Sequence, residues 1–99
     1  MIKVKVNKNH IEISGHAMYA DKGNDIVCAS ASSIVITSVN IVEKLDKEAI
    51  SYIEKDGYLK IDILKESKEV NIIISNMIEL LEELQEQYKK NIKIIKEVR

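Results

Sequence analysis

The chain carries one cysteine, Cys28, and two histidines, His10 and His16. Cys28 and His16 fall in a single stretch, Ser14 to Ser32, which reads SGHAMYADKGNDIVCASAS and holds two of the three glycines. A thiol, an imidazole and a flexible connection between them suit nucleophilic catalysis: the imidazole takes the thiol proton and the sulfur attacks an acyl carbon. A free thiol, with a pKa of about 8.5, is only a few per cent ionised at neutral pH. Bringing such a group to half ionisation takes roughly 2 kcal/mol, and a helix N-terminus supplies ~0.3–1 kcal/mol. A helix starting near Cys28 therefore does not suffice, and a neighbouring imidazole has to contribute. His16 is twelve positions upstream, at the start of a polar loop that can fold back. His10 sits in a strand beside a turn and is assigned a structural or surface role.

Other residues of the stretch have more than one reading each. Asp25 can cap the helix that carries Cys28 or orient His16. Ser32 lies one helical turn beyond Cys28, where it can bond near the thiol, to substrate, or back to its own helix. Backbone N–H groups at the helix start, those of Cys28 and Ala29, are the expected oxyanion donors. Tyr19 and Met18 either contact an apolar peptide or pack within the loop. A lone cysteine is more commonly a small buried hydrophobe than a nucleophile. A redox-sensing thiol and a non-catalytic binding module stay open as rivals. One cysteine and two histidines without paired spacing make a poor metal ligand set, so neither metal nor cofactor is expected.

These residues need a frame. Ninety-nine residues, 45% hydrophobic and 31% charged, make one globular domain. The net charge of −1 carries no basic excess, which argues against nucleic acid as partner. No leader-like segment and no apolar run near the ~20 residues of a membrane span are apparent. With a single cysteine there is no intrachain disulfide, so a reducing, cytoplasmic setting is the expectation.

Alternation of Ile2, Val4 and Val6, then Ile11 and Ile13 after Asn7-Lys8-Asn9, predicts a hairpin. Gly15 ends its second strand, and residues 16–25 form a surface loop. Residues 26–45 favour strand by propensity, yet Ala31, Val35, Val39, Val42 and Leu45 recur at helical spacing. Their length without Gly or Pro predicts a buried helix. Runs 49–55 and 58–64 flank Asp56-Gly57, a dipeptide that predicts a type I′ hairpin turn, with Leu59, Ile61 and Ile63 facing inward. From Val70 to Tyr88 an apolar stripe widened by Ile73 and Leu80 predicts a helix lying on a sheet, with Glu79, Glu82, Glu83 and Glu86 on its wet face. Ile92, Ile94 and Val98 close the chain as a strand. The expected class is α+β, ordered β-β-α-β-β-α-β, with both helices on one face of an antiparallel-rich sheet.

The motif itself resembles the ribosomal-processing cysteine protease family, Prp. The residues that carry the likeness are Gly15-His16-Ala17, Tyr19, Gly23, Asp25-Ile26-Val27-Cys28-Ala29 and Ser32. The chain departs from the family pattern at Met18, where glycine is usual, and at Ser30-Ala31, where Ala-Val is usual. The resemblance implies a cysteine endopeptidase with a Cys28–His16 dyad. It implies removal of the N-terminal extension of a large-subunit ribosomal protein precursor, number twenty-seven, with cleavage after an apolar, aromatic-containing segment. It further implies a homodimer, and a mobile loop, about 16–25, that closes over the peptide. The alternative is a ribosome-assembly or peptide-binding module of the same fold.

Overall fold

The structure is a computed structural model, and it describes residues 1–21 and 23–97. Two positions of the expected elements, Lys22 in the loop and Val98 in the last strand, lie outside the described residues. The element order is β1 (Ile2–Val6), β2 (His10–Ser14), α1 (Ile26–Leu45), β3 (Ile50–Lys55), β4 (Tyr58–Ile63), α2 (Lys68–Gln87) and β5 (Ile92–Lys96). This is the α+β layout that the periodicities predict.

The five strands run β3-β4-β2-β1-β5 across one sheet. β1 pairs antiparallel with β2, β2 with β4 and β4 with β3, whereas β5 lies parallel to β1. Both helices therefore cross between strands that are parallel but not adjacent: α1 links β2 to β3 with β4 between them, and α2 links β4 to β5 around β2 and β1. Crossovers of one hand deliver both helices to one face. Ile2, Val4, Ile11, Leu59, Ile61 and Ile92 are buried on that face, while Lys3, Lys5 and Lys93 alternate outward into solvent.

α1 buries Val27, Ala31, Val35, Val39 and Val42, and α2 buries Val70, Ile74, Met77, Leu81 and Leu84. Leu45 and Leu80, expected in these stripes, point outward because each lies at the margin of its buried arc. Ser38 is buried in α1, and its hydroxyl donates to the Ile34 carbonyl oxygen at 2.8 Å, so the polar atom does not go unpaired. An 18-residue window of α1 has a mean hydropathy of 1.7, long and apolar enough by those two measures to cross a membrane, contrary to expectation. No charged residue occurs between Ile26 and Val42, which raises the average although serines and a threonine interrupt the run. α2 starts on a Ser67 cap whose hydroxyl accepts from Val70 N–H at 3.1 Å.

The Asp56-Gly57 hairpin forms, but not with the turn expected. Gly57 is left-handed at φ +71°, and Asp56 is not. A positive φ at the second central residue alone is the type II requirement. An outside contact acts on this tip, since the Gly57 carbonyl accepts from Gly15 N–H at 2.9 Å.

The open face of the sheet carries a polar ladder. His10 opposes Asp62, and Nδ1 stands 2.5 Å from its Oδ1, while Nε2 meets Glu12 at 3.2 Å. Tyr58 hydroxyl donates to Glu12 at 3.0 Å, and Lys60 lies 3.6 Å from Asp62. The Asp62 hydrogen bond, then that of Glu12, raises the His10 pKa, and His10 in turn holds Asp62 below its ordinary value. A raised imidazole stabilises the fold fully below its unfolded value, about 6.5, and that contribution fades as pH rises through the folded value. A depressed carboxylate stabilises above its unfolded value, about 3.9, and fades as pH falls through the folded one. Both terms are present together between roughly pH 4 and 6.5. Because the pair is partly exposed, it is worth about 1 kcal/mol or less. We expect the urea midpoint of His10→Gln to fall furthest below wild type near pH 5 and the gap to narrow as pH rises through the folded-state His10 value; a constant difference would show that the charge pair contributes nothing.

Candidate active site

Strand register gathers the site at one end of the sheet. Ser14 pairs with Tyr58 and Lys3, so the start of β1, the end of β2 and the β3–β4 turn lie together. Ile2 pairs with Ile92, which adds the α2–β5 connection. Gly15 at φ +88° turns the chain off β2, where a Cβ would stand 2.5 Å from the Met1 carbonyl oxygen. Only glycine fits both the angle and the gap.

Asp25 resolves its two readings in favour of the cap. Its Oδ1 accepts from Val27 and Cys28 N–H at 3.0 Å each, and its Oδ2 accepts from Tyr19 at 2.9 Å and Ala20 at 3.3 Å. The carboxylate is fully used by backbone, so orienting His16 is not its task. Burial pushes its pKa up, but the N–H groups of Cys28, Ala20, Tyr19 and Val27 outweigh burial and hold it below the ordinary value. One side chain thereby joins the helix start to the loop.

Cys28 is a free thiol, half-buried, in the first turn of α1. Its sulfur accepts from Ala17 N–H at 3.2 Å. Ala17 is buried, and its carbonyl oxygen accepts from Asn91 Nδ2 at 3.0 Å. The Tyr19 ring meets Tyr88 edge to face, with centroids 5.3 Å apart. The loop backbone is thus tied to α1 on one side and to the α2–β5 connection on the other. Tyr88 was legible only as the end of a stripe, and nothing in the local pattern of Tyr88 or Asn91 points to the loop.

The oxyanion donors expected at the helix start are already engaged. Cys28 N–H goes to the Asp25 side chain, and Ala29 N–H goes to the Asp25 carbonyl oxygen at 3.0 Å, the first bond of the helix. The backbone N–H that faces the sulfur is that of Ala17.

His16 and Cys28 line the same two adjoining cavities, of about 500 and 600 Å3, together with Ser32 and Asp56. Gly15 lines the first, with an apolar floor of Ile2, Ile13, Ala31, Val35 and Leu59. Met18, Ala29 and Asp25 line the second. Tyr19 lies outside both and packs on Tyr88 instead. His16 is half exposed, and its Nε2 is 4.0 Å from Asp56 Oδ1. Met18 is left-handed at φ +59° with its side chain in solvent. Among the described residues, no group of three or more His, Cys, Asp or Glu side chains is placed to hold a metal ion.

Residues 1–93 match the family described as Cysteine protease Prp. The chain is 33% identical over 85 residues to the ribosomal processing cysteine protease Prp of Staphylococcus aureus, covering 83% of this chain and 80% of that protein. It is 27% identical to the Bacillus subtilis protein of the same name, covering 95% and 96%. It is similar in structure to the S. aureus protease in complex with a covalently linked product peptide, with a TM-score of 0.87, 28% identity and 97% of each chain covered. A complex of that protease with a substrate peptide gives a TM-score of 0.81 at 27% identity, again over 97% of each chain.

Two outcomes are expected of this site. Asp25→Ala removes a cap and orphans two loop N–H groups as well, and should cost about 2 kcal/mol in urea denaturation. Amide exchange should quicken at Tyr19 and Ala20, and protection equal to wild type there would contradict the shared-carboxylate picture. Met18→Gly relieves a left-handed penalty of about 1–2 kcal/mol against an entropic cost of roughly 0.5–1 kcal/mol. It should therefore raise the urea midpoint; a lower midpoint would mean that the exposed side chain holds the loop.

Proposed function

Because the chain belongs to the Prp family of cysteine proteases, we propose that it removes the N-terminal extension of a ribosomal protein precursor, large-subunit protein twenty-seven, with Cys28 as nucleophile and His16 as base. The observation that carries the reading is the pair of adjoining cavities that both residues line, one of them floored by apolar side chains suited to an apolar peptide segment. His16 accepts the Cys28 proton as the sulfur attacks the scissile carbonyl carbon. The C–S bond forms and the C–N bond breaks, and the proton passes from imidazolium to the departing amine. Water, deprotonated by His16, then cleaves the thioester and frees the thiol.

The tetrahedral oxyanion needs donors. Ala17 N–H, at 3.2 Å from the sulfur, is not spent on the helix, and it can turn from sulfur to oxygen as charge moves there. Ser32 borders both cavities and is within reach of the peptide, and Met18 stands at the rim. The loop of residues 16–25 closes over the bound segment in this reading, the enzyme acts in the cytoplasm, and two chains associate as a homodimer.

Cleavage of a peptide that spans the precursor junction is the test. Cys28→Ala and His16→Ala should each reduce turnover by at least about a thousandfold while leaving the far-ultraviolet spectrum unchanged. Turnover that survives Cys28→Ala would overturn the assignment, and tight peptide binding with no cut product would leave a binding module. Iodoacetamide should modify Cys28 and abolish cleavage in proportion.

A further inference from the structure

The Asp-Gly turn between β3 and β4 reads in the sequence as a way of reversing the chain. Its position in the fold gives it a second use. The His16 ring approaches the turn Nε2 first: a Cβ built on Gly57 would be 2.9 Å from Nε2 and 3.6 Å from both Cδ2 and Cε1. Any side chain at that position would push the imidazole away. The adjacent carboxylate, Asp56 Oδ1, stands 4.0 Å from the same nitrogen. The turn cannot drift from His16, because Gly15 N–H, one residue before the histidine, donates to the Gly57 carbonyl oxygen at 2.9 Å. Asp56 also lines both cavities that hold His16 and Cys28. Asp25, the acidic residue of the motif, has both oxygens occupied by backbone.

We infer that Asp56 is a positioning residue for His16: with Gly57 as its seat, it holds the proton on Nε2 and leaves Nδ1 as the nitrogen that meets the Cys28 thiol. Its negative charge also offsets the imidazolium that forms when the thiol proton is taken, as the third member of a catalytic triad does. The separation is that of an ion pair rather than a hydrogen bond, and such contacts commonly shorten once substrate excludes water. The inference rests on the reading of His16 as the base.

Asp56→Asn is isosteric, retains a turn-forming side chain and removes the charge. In the free protein, the 15N shifts of the His16 ring should move toward the Nδ1–H tautomer. Iodoacetamide modification of Cys28 and peptide cleavage should both slow by about three- to fivefold, the size of a partly exposed ion pair. The gap between the Asp56→Asn variant and wild type should narrow as salt is raised, and Asp56→Glu should recover part of the rate. Gly57→Ala should slow both reactions further by displacing the ring. Wild-type ring shifts together with wild-type rates in Asp56→Asn would overturn the inference and leave the dyad intact. Full turnover in His16→Ala would instead remove the base, and the positioning role with it.

Discussion

Asp25 retains its charge while almost wholly buried, because four backbone N–H groups converge on its two oxygens. Two of those donors belong to the first turn of α1 and two to the loop that follows His16. The carboxylate thus fixes the distance between the peptide that carries the histidine and the helix that carries the thiol. Without such an acceptor the loop N–H groups would have to find water or collapse elsewhere, at a cost comparable to the hydrogen bonds themselves. Ala17, lodged between the Cys28 sulfur and the Asn91 amide, takes its place from this arrangement.

The split crossover topology is what makes such convergence possible in so short a chain. Strands β2 and β4 are neighbours although forty-three residues lie between Ser14 and Tyr58. A loop leaving β2 therefore emerges beside the tip of a hairpin formed much later in the chain. The parallel pairing of β1 with β5 brings the end of α2 to the same side. Five separate segments meet around one sulfur and one imidazole, and each is anchored by a strand or helix with its own share of the core.

Most of the architecture was legible because its cause is local. Alternation marks β1, β2 and β4, and the four-three spacing of Val70, Ile74, Met77, Leu81 and Leu84 marks α2. α1 was harder, since its β-branched residues favour strand; length and spacing decided correctly against propensity. The motif around His16 and Cys28 was legible as chemistry and as a family likeness. What was not legible depends on contacts distant in sequence. The sign of φ at Asp56 follows a tip tied to Gly15, and the roles of Tyr88 and Asn91 follow strand order. The commitment of the Cys28 and Ala29 N–H groups to Asp25 needed the actual cap geometry, because a helix start offers several free donors until one knows what occupies them.

Met18 has a further consequence. Its left-handed backbone turns the side chain outward, so that a thioether with 78% of its surface exposed stands at the rim of a cavity that also holds the thiol. The molecule therefore presents two sulfurs of different redox chemistry at one opening. Mild oxidation of the cysteine is reversed by ordinary thiol reductants, whereas a methionine sulfoxide is restored by dedicated reductases. An aged preparation treated with dithiothreitol would recover its thiol titre while keeping a polar S=O group where an apolar chain end had been.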